Sequence, residues 1–226
     1  MWSFLIYIIV ILLINVAYSR VPFGIIGGTR TNIAYLPYQL AYLSNGNYRC
    51  GASLISNDFA LTAGHCVLKF PINLSLRAGS TYKDQGGIII NVQQTFYHPY
   101  YVPVTFQNDF ALLYFEKPIT FTNLIQPVKL PTLNTVTYDG TTCNVAGWGI
   151  MENNKLSADL KSTNVQIINQ YVCQANYNTY YVRLAITNEM ICAGSYYGGN
   201  DGNFDLFSYR KELLTQQHFV TYSMYR

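Results

Sequence analysis

The sequence of 226 residues is poor in charge, because Asp, Glu, Lys and Arg together make up only 11% of it, against about 25% in typical globular chains. Its net charge of +3 comes without any run of lysines or arginines. The chain therefore lacks the basic stripe that contact with a phosphate backbone requires, which excludes a nucleic-acid-binding module. Half of the residues are hydrophobic, which excludes a disordered acidic tail and permits a large buried core.

Long apolar runs are also scarce, since residues 4–14 form the one such run and neither low-complexity stretches nor internal repeats follow it. This run is shorter than the ~20 residues that a helix needs to cross a bilayer. The small residues Ala17 and Ser19 after it are typical of a signal-peptidase site. We therefore predict a signal peptide over residues 1–19 rather than a retained membrane anchor. A secreted, extracellular chain can form disulfides.

The remaining sequence alternates short segments rich in β-branched and aromatic residues with turn residues, which is typical of an all-β fold. Asn45-Gly46 favours a tight hairpin, because both residues tolerate positive φ angles. Weak helical periodicity occurs at residues 169–176 and 209–219. We predict a sandwich or barrel with strands near residues 38–43, 48–55, 59–62, 74–78, 88–96, 110–115, 143–148 and 163–168.

Two segments carry side chains suited to proton transfer. Residues 61–66 read Leu-Thr-Ala-Gly-His-Cys, and a disulfide from Cys66 to Cys50 would hold the backbone of His65 still, as general-base catalysis requires. Asp109 stands beside another apolar strand, where its carboxylate can accept the Nδ1 proton of an imidazole and fix its tautomer. Taken alone, Asp109 is better explained as an ordinary turn or cap residue.

These segments occur together with Ile-Ile-Gly-Gly at 25–28, Cys-Asn-Val-Ala-Gly-Trp-Gly at 143–149 and Met-Ile-Cys-Ala-Gly at 190–194. In this order and at this spacing they closely resemble the chymotrypsin-like (trypsin family) serine endopeptidases over residues 25–202. The resemblance implies two antiparallel β-barrels with a catalytic cleft between them. It also implies that His65 is the general base and that Asp109 orients it, in an enzyme that hydrolyses peptide bonds through an acyl-enzyme.

The resemblance further implies two disulfides, Cys50 to Cys66 and Cys173 to Cys192. It leaves Cys143 unpaired, because the segment that holds its family partner, near the nucleophile, has no counterpart here. An odd cysteine in a secreted chain indicates either intermolecular pairing or a missing piece. We expect the missing piece.

The Gly-Asp-Ser-Gly-Gly run that carries the family's nucleophile occurs nowhere in the chain. Counted from Asp201, the nucleophile position falls on Phe207 and the preceding Asp position on Leu206. Ser208 is one place away, but it lacks the glycines that let backbone N–H groups converge on an oxyanion. Ser195 lies too early. We predict a chain that is truncated before the catalytic serine and therefore inactive.

Asp201 aligns with the carboxylate of the family's primary specificity pocket, which implies cleavage after Arg or Lys in an intact form. A surface turn at Asp201-Gly202 is an equally good interpretation. Residues 203–226 do not resemble the family. Retained intron sequence, an alternative exon or a gene-model error would explain the change, and an evolved tail helix is the competing account. The predicted domains are a pro-segment at 20–24, a trypsin-like domain at 25–202 whose C-terminal barrel is incomplete, and this tail.

The family's activation signal is altered too, because Gly24 rather than Arg or Lys precedes Ile25, and a cut after Arg20 would leave extra residues. Asn73-Leu74-Ser75 is a glycosylation sequon, which predicts an N-glycan if that turn is exposed. We expect no metal and no cofactor, since no His/Cys/Asp cluster has ligand spacing. The expected partner is a protein or peptide. Besides the enzyme family, two hypotheses remain: a non-catalytic homologue that binds proteins, and a non-functional fragment.

Overall fold

The structure is a computed structural model that describes residues 28–69, 71–132, 136–151, 155–180, 186–187, 190–194, 207–210 and 219–221. The predicted signal peptide, the pro-segment, the start of the Ile25 motif and Asp201 lie outside the described residues. Within the described part, no helix has both the length and the apolar character that crossing a bilayer demands. The predicted all-β class is confirmed.

The first half of the chain forms a closed antiparallel barrel. Its strands follow the order β2-β3-β4-β7-β6-β5, and strand β1 (Thr29–Arg30) precedes them. A six-residue helix, α1 (Gly64–Lys69), follows β4. The barrel strands are β2 (Gln39–Ser44), β3 (Asn47–Leu54), β4 (Phe59–Thr62), β5 (Leu74–Ala78), β6 (Ile88–Tyr97) and β7 (Ala111–Phe115).

Strand β7 illustrates why these segments become barrel strands. Ala111, Leu113 and Phe115 are buried while the residues between them are only half-buried, as expected when successive side chains point to opposite faces. The predicted β2–β3 hairpin turns at Asn45 and Gly46, whose φ angles are 51° and 72°. Alternating burial along the strands and suitable turn residues thus explain the strands and the hairpin of this barrel from local sequence.

The second half forms a sheet in the order β11-β10-β9-β8-β12, with β1 paired to β9. This sheet is not closed into a barrel over the residues that the structure describes. The strands pair antiparallel except for β12, which runs parallel to β8. Its elements are β8 (Thr142–Gly147), β9 (Lys161–Ile168), helix α2 (Gln170–Tyr180), β10 (Met190–Gly194), β11 (Phe207–Arg210) and β12 (Phe219–Thr221).

The prediction of a helix at 209–219 is wrong at both of its ends. Tyr209 and Arg210 lie in β11, which pairs with β10, and Phe219 begins β12. The reason is that β10 and β8 offer strand edges to which short aromatic and β-branched segments pair, and such pairing overrides a weak 3.6-residue period. The other predicted helix does form as α2, with the Asn169 side chain capping its first turn.

Trp148 joins the two halves. It is only 1% exposed, and its indole Nε1 donates to the carbonyl oxygen of Thr81 at 2.9 Å. Its ring meets Tyr48 of β3 edge to face, with 6.0 Å between the ring centres. One continuous cluster of buried residues therefore includes both barrel residues and residues of the second sheet.

This architecture predicts unequal local stability. Residues 25–133 contain the closed barrel, which has no free edges, whereas residues 136–202 contain an open sheet. Because an open sheet frays from its edge strands, the backbone amides of 136–202 should exchange with solvent faster than those of 25–133. Hydrogen exchange followed by mass spectrometry measures this difference. Uniform protection over both regions would contradict it.

Candidate catalytic dyad

His65 occupies the first turn of helix α1, directly after barrel strand β4. The neighbouring Cys66 is bonded to Cys50 of β3, with 6.3 Å between their Cα atoms. Thr62 at the end of β4 donates from Oγ1 to the carbonyl oxygen of Gly51 at 2.8 Å. These two links to β3 fix the backbone on either side of the histidine. His65 itself is 9% exposed.

Asp109 precedes strand β7 and binds His65 through both carboxylate oxygens. Oδ1 accepts from the backbone N–H of His65 at 2.8 Å, and Oδ2 lies 2.5 Å from the ring Nδ1. An ionised carboxylate only accepts hydrogen bonds, so the proton of this contact belongs to Nδ1. In the neutral imidazole, Nε2 is then the nitrogen that can take up a proton. The pair thus has the geometry of a general base and the group that orients it.

The segment before Asp109 has an unusual backbone. Phe106 and Asn108 have φ angles of 54° and 53°, in the left-handed region that costs a residue with a Cβ about 1 kcal/mol or more. Asn108 is anchored because its Nδ2 donates to the carbonyl oxygen of Tyr100 at 3.0 Å. The ring of Phe106 stands edge-on to the His65 imidazole, 5.8 Å from it. Backbone strain of this kind concentrates at functional sites.

Gly64 lets Asp109 approach the start of helix α1. A Cβ on Gly64 would lie 3.3 Å from Asp109 Oδ1 and 3.4 Å from the ring of Tyr101. These distances are at the tight limit of side-chain contacts, so a side chain at this position would require the Asp109 carboxylate or the Tyr101 ring to shift by a few tenths of an ångström. The close approach of Asp109 and Tyr101 therefore explains sterically why a glycine suits position 64.

A metal site is not supported at this position. Cys50, His65 and Cys66 have potential ligand atoms within 4.8 Å of one another. Both sulfurs belong to the same disulfide, however, and a metal is bound by the thiolate form of cysteine. The histidine alone remains, and its Nδ1 already faces Asp109.

The second half of the chain contains a disulfide and a free thiol. Cys173 of α2 is bonded to Cys192 of β10, so both disulfides implied by the family resemblance are present. Cys143 of β8 is free and buried, with 1% exposure. Burial raises the pKa of its thiol to about 11. A thiol buried in this way is not positioned to pair with another molecule, which argues against the intermolecular alternative.

The family assignment follows from comparison with known proteins. The family model described as Trypsin matches residues 25–204. The chain belongs to the trypsin family. It is 36% identical to Trypsin 5G1 of Aedes aegypti and 33% identical to the vitellin-degrading protease of Bombyx mori, in each case over 78% of this chain. It spans only about two thirds of their length, 66% and 67% respectively.

Two solved structures have the same fold as this chain. A scabies mite inactivated protease paralogue superposes with a TM-score of 0.71 and 25% identity, covering 84% of each chain. Mouse neuropsin, a serine protease, superposes with a TM-score of 0.69 and 25% identity, covering 84% of this chain and 86% of its own. The chain thus shares its architecture with a protease and with a paralogue that is described as inactivated.

The structure brings His65 and Asp109 together and does not describe Asp201. Ser208 lies in β11, where its backbone is paired with Cys192 of β10. Sequence reasoning missed Phe106, which no pattern marks. Asn108 carried a usable signal, because asparagine tolerates the left-handed backbone that precedes Asp109 here.

Removing the Asp109 carboxylate should destabilise the first barrel. The change Asp109→Ala leaves the buried His65 N–H without an acceptor, so we expect a loss of about 2 kcal/mol in the free energy of unfolding. Asp109→Asn keeps one acceptor oxygen and should lose less. Urea unfolding measures both.

Asp84→Ala is the matched control for Asp109→Ala. Its carboxylate is paired with Lys83, whose side chain is 12% exposed, but is itself 63% exposed, so its removal leaves no buried N–H without an acceptor and should cost less. Equal stability changes at the two positions would contradict the structural role of Asp109.

The thiol of Cys143 should resist alkylation in the native protein. Because its pKa is raised to about 11, the reactive thiolate is scarce at pH 8 and increases as the pH rises toward that value. Iodoacetamide labelling without reductant should be slow at pH 8 and rapid after denaturation. The disulfide-bonded cysteines do not react under these conditions, and Cys143→Ala gives the background. Rapid native labelling at pH 8 would contradict the burial of this side chain.

Proposed function

We propose that this chain is a secreted, catalytically inactive member of the trypsin family that retains the base and its orienting carboxylate but lacks the nucleophile. The supporting observation is the double contact between Asp109 and His65, at 2.8 and 2.5 Å. This contact sets up Nε2 of the ring to receive a proton. The chain contains no Gly-Asp-Ser-Gly-Gly run to supply the hydroxyl that would give it up.

An intact form that carried the nucleophile would hydrolyse peptide bonds in proteins, and Asp201 supports a preference for Arg or Lys before the scissile bond. In that reaction His65 takes the serine proton as the hydroxyl attacks the carbonyl, and later returns it to the leaving amine. Asp109 stabilises the imidazolium between the two steps. In the present chain these steps have no starting hydroxyl, and glycines whose N–H groups would hold the oxyanion are absent near Ser208.

A second function, protein binding without catalysis, is favoured by one observation. The scabies mite structure that this chain resembles is that of an inactivated protease paralogue, so the fold persists in a protein described as inactive. A non-catalytic role would keep the first barrel and its surface while relaxing the requirement for a nucleophile. A non-functional fragment would keep neither a stable fold nor a partner.

Active-site labelling tests the proposed inactivity. The folded chain should not react with a serine-directed fluorophosphonate probe and should not turn over Arg or Lys amide substrates, because its sequence contains no Gly-Asp-Ser-Gly-Gly run to supply the nucleophile. Trypsin 5G1 of Aedes aegypti, assayed in parallel, shows that the probe and substrates work. Stoichiometric labelling at Ser208 would contradict the proposal.

Sequencing the transcript across Gly202 distinguishes the enzyme hypothesis from the hypotheses of a non-catalytic binding protein and a non-functional fragment. If an exon that encodes a Gly-Asp-Ser run joins at this point, the gene specifies a protease and the tail at 203–226 is an alternative product. If every transcript encodes the present tail, the enzyme hypothesis fails for this gene, and the non-catalytic protein and the non-functional fragment remain.

A further inference from the structure

Asn73 belongs to the one Asn-X-Ser/Thr sequon of the chain, Asn73-Leu74-Ser75. It is exposed and lies in the loop between helix α1 and strand β5. Its φ angle is 46°, in the left-handed region that asparagine adopts in turns. We propose that Asn73 carries an N-linked glycan whose first sugars lie in an adjoining groove of amide side chains.

Two hydrogen bonds join Asn73, the residue that would receive the glycan, to Asn45 in the β2–β3 turn. Asn73 donates from Nδ2 to Asn45 Oδ1 at 2.8 Å, and the backbone N–H of Asn45 donates to the carbonyl oxygen of Asn73 at 3.2 Å. The amide nitrogen of an asparagine carries two hydrogens. A glycosidic bond replaces one of them and leaves the other to donate to Asn45, so the glycan can be attached without breaking this contact.

The groove beside Asn73 has the chemistry of a saccharide site. It is an open concavity of about 840 Å³, and none of the described residues that line it is charged. Amide side chains both donate and accept hydrogen bonds, as the hydroxyl groups of a neutral sugar do. A phosphate or a metal ion would instead require charged partners. The amide side chains that line it are those of Asn45, Asn73, Asn91, Gln93 and Gln94.

An apolar surface borders the same loop. Ile72, directly before Asn73, is 59% exposed, and Pro71 lines the groove. The C–H face and N-acetyl group of the first sugar are apolar, so covering Ile72 and Pro71 removes hydrophobic area from water. The glycan would thus satisfy both the polar and the apolar parts of this surface.

The inference rests on the proposed secretion, because N-glycans are added in the secretory pathway. Cell-free translation with endoplasmic-reticulum microsomes tests the two separately. Protease protection reports import, and a gel shift that endoglycosidase H removes reports glycosylation. Asn73→Gln and Ser75→Ala should abolish the shift while import continues, and the matched Ser75→Thr should retain it. Import without a shift would overturn the glycan alone, whereas failure of import would overturn secretion and the glycan together.

The groove is tested by the release of the glycan from the folded, secreted protein. Sugars held by the amide side chains should be released slowly by PNGase F under native conditions. Gln93→Ala combined with Gln94→Ala should accelerate release several-fold, whereas Gln85→Ala, an exposed glutamine outside the groove, should not. Equal release rates for all three proteins would overturn the placement of the sugars in the groove.

Discussion

The two bonds from Asp109 to His65 are the interaction on which the rest of the account depends. One oxygen fixes the backbone of the histidine and the other fixes its ring, so the imidazole cannot rotate without losing a charge-assisted hydrogen bond, each typically contributing about 1.5–3 kcal/mol. Among the described residues, the Cys50–Cys66 disulfide and strand β7, which support this pair, belong to the closed first barrel.

The C-terminal strands β11 and β12 form the two ends of the second sheet. Strands β8 and β10 are hydrogen-bonded to β9 on one side, and their other sides are covered by short strands of the tail. The parallel pairing of β12 departs from the antiparallel pattern of the other strands. Cys143 lies in β8 without a disulfide partner. An exposed sheet edge presents unpaired backbone N–H and C=O groups, to which another strand can pair.

Much of the barrel and of the dyad follows from the sequence because local rules determine them. Alternating burial defines strands such as β7, Asn45-Gly46 defines the hairpin, and the spacing of His65 and Asp109 matches a known family. The tail was mispredicted at Tyr209 because its pairing depends on free edges far away in the sequence. The position of Phe106 against the imidazole depends on a strained loop whose backbone no residue pattern reveals.

The most direct measurement is the activity of a chimaera in which residues 25–202 of this chain are followed by the aligned C-terminal segment of Trypsin 5G1. That segment starts two residues before the Gly-Asp-Ser run, so that the serine takes the position of Phe207, and the chimaera is produced with Ile25 at its amino terminus. If the dyad is intact and only the hydroxyl is missing, the chimaera should hydrolyse Arg and Lys amides, and His65→Ala should abolish that activity. A folded chimaera without activity, or one whose activity survives His65→Ala, would contradict the account.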